Sequence, residues 1–245
     1  MGRLTESIKH LIIINVLLFI APQLLKGIDL QGLFALHFPE NESFGFWQYL
    51  THMFMHDQSS LMHILFNMYG LWAFGTPLEQ MWGRNKFLFF YFSAGIGAGL
   101  IYTGVNYFQF NGIYDQLLGL GLTANDIQAL LDTGKYNPNV VTLSNQELSE
   151  FYSLYNSPAV GASGAVYGVL VAFGMLFPNA KLAMIFFPVP ISAKYFIPLM
   201  LVGDLFFGVT NYSVGNVAHF AHIGGALIGF IIAWYWKKNQ FTRWN

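Results

Sequence analysis

The chain has 245 residues, of which 55% are hydrophobic and only 9% are charged, and its formal net charge is −1. Soluble domains carry ~25% charged residues, so this composition excludes an ordinary soluble protein and indicates a membrane protein. The absence of cysteine excludes disulfides and thiolate chemistry, and the chain lacks the basic surplus that a nucleic-acid partner would require.

Six apolar runs have the length of a membrane span, about 17–25 residues. The predicted fold class is therefore an all-α membrane protein with six transmembrane helices. No small-residue cleavage site follows the first run, so we expect it to be a span and not a signal peptide. In chain order the runs are Ile8–Leu25, Leu61–Leu78, Phe87–Tyr107, Gly161–Phe177, Tyr195–Asn211 and Ala218–Trp236.

The lysine and arginine residues are unevenly divided between the two sides of this predicted bundle. If the N-terminus is inside, nine of the 11 lie inside and only Lys26 and Lys135 lie outside. Positive residues accumulate on the cytoplasmic side, so both termini are predicted to be cytoplasmic. The inside residues are Arg3, Lys9, Arg84, Lys86, Lys181, Lys194, Lys237, Lys238 and Arg243.

Two outside segments are long. Residues 27–60 mix apolar and polar side chains, which predicts a segment that lies in the membrane interface. Residues 108–160 are the only stretch with soluble character, and they predict a helical extracytoplasmic insertion between spans three and four. We take residues 1–245 as one domain that contains this insertion.

Two helix starts can be read within the insertion. Thr123 with Asp126 and Ser144 with Glu147 have the spacing of capping boxes, in which side chains satisfy the first amides of a helix. Gly134 is predicted to end the first of these helices.

Polar side chains occur near the outer ends of the second, fourth and sixth spans, which all run in the same direction. They lie roughly 3–12 Å below the outer ends of their helices, so they can meet in one cavity. The positive ends of the helix dipoles would favour negative charge there. The residues are His63, Asn67, Ser163, His219 and His222.

These residue types fit acyl transfer. Ser163 is the candidate nucleophile and His222 the base that takes its proton. The oxyanion of a tetrahedral intermediate needs hydrogen-bond donors, for which the candidates are the His63 ring, the Asn67 amide and the Ser163 backbone. His63 and Asn67 are four residues apart and share a helix face.

Small residues explain how the fourth and sixth spans can approach closely. Gly164 with Gly168 and Gly225 with Gly229 form two pairs of the small-xxx-small type. Tyr167 lies one turn after Ser163, where its ring can pack against His222. The sequence therefore predicts a serine hydrolase built inside a bilayer.

Three motifs resemble the signature of the rhomboid intramembrane serine proteases. They are His-Ile-Leu-Phe-Asn at 63–67, Gly-Ala-Ser-Gly-Ala-Val-Tyr-Gly at 161–168 and Ala-His-Ile-Gly-Gly-Ala-Leu-Ile-Gly at 221–229. They occur in the family's order, and the resemblance covers roughly residues 8–236.

The resemblance implies a role for each matching residue. The catalytic dyad falls on Ser163 and His222, the oxyanion residues on His63, Asn67 and the Ser163 backbone, and the stacking aromatic on Tyr167. Gly161 and Gly164 flank the nucleophile, and Gly225 and Gly229 are the close-packing glycines.

The family cuts transmembrane helices near the outer membrane face without a metal or cofactor. The implied partners are single-span membrane proteins and the lipid bilayer, and by family habit we expect a bacterial inner membrane. Two departures stand out: Trp47-Gln48 replaces the family's frequent Trp-Arg, and the insertion 108–160 is unusually long.

Other polar residues have a structural interpretation. Asp204 is predicted near mid-depth of the fifth span, so we favour a dyad and give Asp204 a buried hydrogen-bonding role. We expect a structural hydrogen bond for His219, and we expect His52 and His56 to cap or anchor the loop before the second span. Glu79 lies at the inner end, too far away to act.

Three other functional classes are considered. A non-catalytic relative that binds membrane helices would have lost the serine or the histidine, and this chain keeps both. A histidine-ligated haem or metal protein would show a characteristic absorption spectrum or bound metal. A transporter has less support, since no inverted repeat is visible.

Overall fold

The computed structural model describes residues 4–184, 187–210 and 218–241, and these are mostly helical. Arg3, Arg243 and the predicted end of the fifth span at Asn211 lie outside this part of the chain. The helices are α1 (Glu6–Leu24), α2 (Leu30–Phe34), α3 (Gln48–Thr51), α4 (Leu61–Gly70), α5 (Thr76–Trp82), α6 (Arg84–Gly119), α7 (Ala124–Thr133), α8 (Asn145–Asn156), α9 (Ser163–Leu176), α10 (Ala193–Val209) and α11 (His219–Phe241).

Three helices of the described chain are long and apolar enough to cross a membrane: α1, α6 and the part of α11 over His219–Asn239. The other three predicted spans are also helical. The fourth is α9 with 14 residues and the fifth is α10 with 17. Six spans and the side on which the termini lie remain predictions.

The second predicted span is a helix with a widened turn. A π-helical segment, Leu71–Gly75, joins α4 to α5, and Pro77 follows it in the first turn of α5. Proline has no amide hydrogen, and its ring crowds the carbonyl four residues earlier, which here belongs to Ala73. The wider turn at Ala73 therefore accommodates Pro77 without ending the span.

Glu79, at the end of this helical run, holds the start of α1. Its carboxylate accepts hydrogen bonds from the backbone N–H groups of Ser7 at 3.1 Å and Ile8 at 3.3 Å, and from the Thr5 hydroxyl. An acidic group near a helix N-terminus is stabilised by the orphan amides there. Glu79 is thus a capping residue.

The third predicted span ends later than expected. The sequence placed its end at Tyr107, but α6 continues to Gly119 and contains 36 residues. Its length is about 54 Å at 1.5 Å per residue, well beyond the ~30 Å of a bilayer core. The first part of the insertion is therefore a direct extension of this helix.

The insertion packs into a small core of its own. The capping boxes at Thr123 and Ser144 are both present, and Gly134 ends α7 in the left-handed conformation, so these three predictions are confirmed. Apolar side chains of α6, α7 and α8 are buried together, and Phe38 of the first loop packs into the same cluster. This contact ties the insertion to the segment that precedes the second span.

The first loop is fastened by Gln48, the residue that stands where the family often has arginine. Its side chain is fully buried and donates a 2.7 Å hydrogen bond to the Ser43 carbonyl. It also accepts a hydrogen bond from the His37 backbone N–H at 3.2 Å. The glutamine therefore anchors the loop through its neutral amide.

A short β-hairpin is added to the helical fold. Strands β1 (Lys181–Met184) and β2 (Phe187–Ser192) pair antiparallel between α9 and α10. The Ala193 N–H donates to the Ala180 carbonyl at 2.9 Å and extends the pairing to the start of α10. The two helices are thus joined by a paired connection that satisfies backbone groups outside the helices.

Helix α9 lies at the centre of the bundle, against α6, α10 and α11. Nine of its 14 residues are buried, including all of its valines and alanines. The crossing with α11 is very close: a Cβ added at Gly225 would lie 1.9 Å from the Gly164 carbonyl oxygen, and one at Gly229 would lie 2.5 Å from the Gly168 Cα. The four glycines bring the backbones together, which positions the first turns of both helices.

Candidate active site

Ser163 is the first residue of α9 and therefore has a backbone N–H without an intrahelical acceptor. The chain enters this turn through Gly161, whose φ of 129° lies in a region that side chains rarely adopt. A Cβ at Gly161 would lie 3.0 Å from His63 Nε2 and 3.5 Å from Ser163 Oγ. Glycine is therefore required both for the backbone turn and for the space beside the serine.

Ser163 and His222 are in direct contact. Their Oγ and Nε2 atoms are 2.9 Å apart, across 59 residues of sequence. His222 lies in the first turn of α11 and is 9% exposed. The close crossing of α9 and α11 is what brings these two first turns within hydrogen-bond distance.

The Tyr167 ring stacks on the His222 imidazole. The ring centroids are 4.1 Å apart and the planes differ by 12°. Tyr167 follows Ser163 by one turn of α9, so the same helix presents the hydroxyl and the stacking surface. The stacked ring limits rotation of the imidazole.

Asp204 contacts Nδ1 of the His222 ring, the nitrogen that does not contact Ser163. Its Oδ1 atom lies 3.1 Å from His222 Nδ1 and 2.7 Å from His219 Nδ1, while the Tyr167 hydroxyl donates to Oδ2. The carboxylate is 7% exposed and so has the buried hydrogen-bonding environment that the sequence predicted.

The structure shows where Asp204 lies along its helix, whereas its depth in a membrane stays a prediction. The prediction placed it near the middle of a span that continued to Asn211, but α10 ends at Val209. Asp204 is therefore only five residues, or about 7.5 Å, from that end. His222 is three residues from the start of α11, so the two side chains lie at a similar level.

The His63 ring faces the same turn. Its Nδ1 accepts a hydrogen bond from the Asp57 backbone N–H at 3.3 Å, so in the neutral ring the proton is on Nε2. His63 Nε2 and Ser163 Oγ both border the space at Gly161, at 3.0 Å and 3.5 Å from the position of an added Cβ. His63 therefore presents a donor to the space beside the serine hydroxyl.

Asn67 is less directly connected. It is 5% exposed, and its amide nitrogen donates to the His63 carbonyl one turn earlier at 2.8 Å. Within the described residues, no hydrogen bond joins Asn67 to Ser163. The structure thus brings together Ser163, His222 and His63, with Asn67 behind them.

The two earlier histidines, His52 and His56, belong to the first loop, residues 27–60. The His52 carbonyl accepts a hydrogen bond from the Gly161 N–H at 3.0 Å, and the His52 Nδ1 atom is 2.7 Å from the Gln48 carbonyl oxygen. His52 therefore anchors the first loop to the turn that precedes Ser163. The His56 ring lies 5.1 Å from the His63 ring, and neither of its nitrogens has a hydrogen-bond partner in the described structure. Burial lowers the pKa of His52 to about 4 and that of His56 to about 3.

The described chain is a bundle of largely apolar helices, and a serine and a histidine meet at the first turns of two crossing helices. This fold and this site together define the class of protein to which the chain belongs. The family model described as Rhomboid domain matches residues 43–239. The chain belongs to the rhomboid family.

The chain is also similar to several curated proteins. It is 27% identical over 178 residues to Rhomboid protein 1, mitochondrial, of Saccharomyces cerevisiae. The aligned part covers 72% of this chain and 38% of that protein. It is 28% identical over 187 residues to the Presenilin-associated rhomboid-like protein, mitochondrial, of Rattus norvegicus, covering 76% and 37%. The corresponding human protein is 27% identical over 188 residues, covering 76% and 36%.

These relatives correct one expectation. The chain spans less than two-fifths of their length, and all three are named as mitochondrial proteins. The expected location in a bacterial inner membrane, which came from family habit, is therefore wrong.

Proposed function

We propose that this protein is an intramembrane serine endopeptidase that cleaves transmembrane segments of single-span membrane proteins. The observation that carries the proposal is the 2.9 Å contact between Ser163 Oγ and His222 Nε2. A hydroxyl becomes a nucleophile when an adjacent base takes its proton, and an imidazole at this distance is in reach to do so. Membership of the rhomboid family supports the same reaction class.

The reaction begins with attack of Ser163 Oγ on a peptide carbonyl carbon. His222 Nε2 takes the hydroxyl proton as the new C–O bond forms. When the C–N bond breaks, the imidazolium gives this proton to the leaving amine. Water then hydrolyses the serine ester by the same two proton transfers, and the enzyme is regenerated.

The negative oxygen of the tetrahedral intermediate needs fixed donors. The Ser163 backbone N–H and the His63 Nε2–H are available, since neither is used by the helix or by the Asp57 contact. Asn67 contributes by holding the His63 carbonyl and so the first turn of α4. The N-terminal ends of α4, α9 and α11 also favour negative charge at this point.

Asp204 adds a third residue to the proposed dyad of Ser163 and His222. A carboxylate at Nδ1 keeps the proton on that nitrogen and leaves Nε2 free to accept from Ser163. It also stabilises the imidazolium that forms during attack. The proposed catalytic unit is therefore Ser163 and His222, with Asp204 as the residue that positions the imidazole.

The site has the location that an intramembrane protease needs. In the six-span arrangement, Ser163 and His222 lie close to the outer ends of their helices, where water can enter. A substrate helix hides its carbonyls in its own hydrogen bonds, so it must unwind before attack. The names of the relatives support a location in a mitochondrial membrane. The distribution of lysine and arginine supports both termini on the side that carries the positive residues.

Labelling with a fluorophosphonate probe in detergent tests the proposal. The parent protein is expected to label at Ser163, and Ser163→Ala and His222→Ala are expected to abolish labelling. Ser149→Ala and His10→Ala serve as matched controls, because both residues are exposed and lie outside the site. Folded parent protein that never labels would instead support a helix-binding, non-proteolytic relative.

A further inference from the structure

Three potential metal ligands lie close together at the Nδ1 edge of the His222 ring, whereas Ser163 contacts its Nε2 atom. Asp204 Oδ1, His219 Nδ1 and His222 Nδ1 all lie within 4.8 Å of one another. We propose that these atoms form a binding site for a zinc ion, and that zinc bound there reversibly inhibits the protein. The binding stands by itself, whereas the inhibition rests on the proposed function.

The ligand set selects zinc over the common hard cations. Two imidazole nitrogens and one carboxylate oxygen match the preference of Zn²⁺, whereas Mg²⁺ and Ca²⁺ take oxygen ligands. Zinc–ligand bonds of about 2.0–2.1 Å place the ligand atoms of a tetrahedral site roughly 3.3 Å apart. Oδ1 is now 2.7 Å and 3.1 Å from the two nitrogens, and the nitrogens lie within 4.8 Å of each other. The two imidazoles would therefore have to approach each other by up to roughly 1.5 Å to admit the ion.

Groups around the cluster are arranged to hold these ligands. The Tyr167 hydroxyl donates to Asp204 Oδ2 and leaves Oδ1 directed at the two histidines. The distal nitrogen of His222 contacts Ser163 Oγ, which can accept its N–H. Metal-binding histidines commonly use their second nitrogen in this way.

Charge limits the affinity. A single carboxylate balances half of the charge of Zn²⁺, and the positive end of α11 is adjacent to the site. The histidine side chains are 11% exposed and the aspartate side chain is 8% exposed, so the ligands are not fully enclosed. We therefore expect binding that a chelator reverses.

Zinc at Nδ1 would reverse the tautomer that catalysis needs. In the proposed mechanism, Asp204 keeps the proton of the free ring on Nδ1, so that Nε2 accepts from Ser163. When zinc takes the Nδ1 lone pair, the neutral ring holds its proton on Nε2. Nε2 then donates to Ser163 and no longer accepts its proton, so the hydroxyl is not activated.

Binding is tested with Co²⁺, whose visible absorption reports four-coordinate sites and which Zn²⁺ displaces. One Co²⁺ per chain is expected for the parent protein and for Ser163→Ala. His219→Ala should weaken binding by at least about tenfold, and His219→Asn, which keeps a donor for Asp204, should do the same. His10→Ala, a change of an exposed histidine, should leave the titration unchanged.

Inhibition is measured as the rate of fluorophosphonate labelling, with each variant normalised to its own zinc-free rate. Zinc should suppress labelling of the parent, a chelator should restore it, and His219→Asn should need at least about tenfold more zinc. Absence of a stoichiometric metal, or equal affinity in the His219 variants, overturns the site. If the parent never labels, the proposed protease function fails, and the cobalt titration still decides whether the metal site exists.

Discussion

The Asp204 carboxylate lies 3.1 Å from Nδ1 of His222, the ring nitrogen that does not contact Ser163. The two residues are 18 positions apart and belong to different helices. This contact adds a carboxylate to the proposed catalytic pair of Ser163 and His222, and it leads to a test of the proposed reaction.

Asp204→Asn is expected to slow labelling by roughly 10²–10⁴-fold while leaving the fold intact. The asparagine NH₂ group can donate to Nδ1 and so stabilise the tautomer with the proton on Nε2, which cannot accept from Ser163. The labelling rate and the pH dependence of the rate are the measurements.

Asp204→Glu is the matched variant, because it keeps a carboxylate and should recover part of the rate. An unchanged rate in Asp204→Asn would mean that Ser163 and His222 act as a dyad without the carboxylate.

The two oxyanion candidates should differ in their effect on catalysis. His63→Ala removes a donor beside Ser163 and is expected to lower kcat by roughly 10²–10³-fold with little change in KM. Asn67→Ala should cost less, since its amide donates to the His63 carbonyl. Peptidase kinetics with one substrate decide this, and a larger loss in Asn67→Ala would reverse the assignment.

Gly225→Ala should separate α9 from α11. The added Cβ would lie 1.9 Å from the Gly164 carbonyl oxygen, so the backbones must move apart, at a cost of at least about 1–3 kcal/mol. Both thermal stability and labelling should fall, because the Ser163–His222 contact depends on this crossing.

Gly104→Ala is the control for that substitution. Gly104 is also helical, but a Cβ there meets nothing within 4 Å, so the variant should gain about 0.5–1 kcal/mol through helix propensity. Equal behaviour of the two variants in a thermal scan would contradict the close-packing role of Gly225.

Mild acid should destabilise the protein through His52 and His56 of the first loop. Burial depresses the pKa of His52 to about 4 and of His56 to about 3, from 6.5. Below pH 6.5 the unfolded chain binds protons that the folded chain does not, so stability falls as pH decreases toward these values. Each histidine should cost about 2 kcal/mol at pH 5.

His56→Phe should remove about half of this acid sensitivity and be tolerated at pH 7.5, because the His56 nitrogens have no hydrogen-bond partner in the described structure. Thermal midpoints in detergent at pH 7.5 and pH 5 provide the comparison. An identical loss in the variant would exclude His56 as a source.

Substrate unwinding should govern the rate of cleavage. Changing glycine or proline to leucine near the scissile bond of a single-span substrate strengthens its helix and should slow cleavage severalfold. The same change several turns away is the control. A rate that does not depend on these residues would argue against an unwinding step.

Local patterns in the sequence determined the helices, the capping boxes at Thr123 and Ser144, and the glycine pairs of α9 and α11. Each of these depends on residues within one or two turns of each other. The motifs around His63, Ser163 and His222 likewise identified which side chains to examine, and the resemblance put them in order.

Tertiary structure decided what depended on where elements end and which neighbours they meet. The position of Asp204 relative to the end of α10 at Val209 was fixed by no local signal. The burial of Gln48 and the extension of α6 to Gly119 depend on packing with the first loop and the insertion. Propensity is a weak guide where contacts between distant segments set the lowest free energy, and that is why the third partner of His222 became visible only in the folded chain.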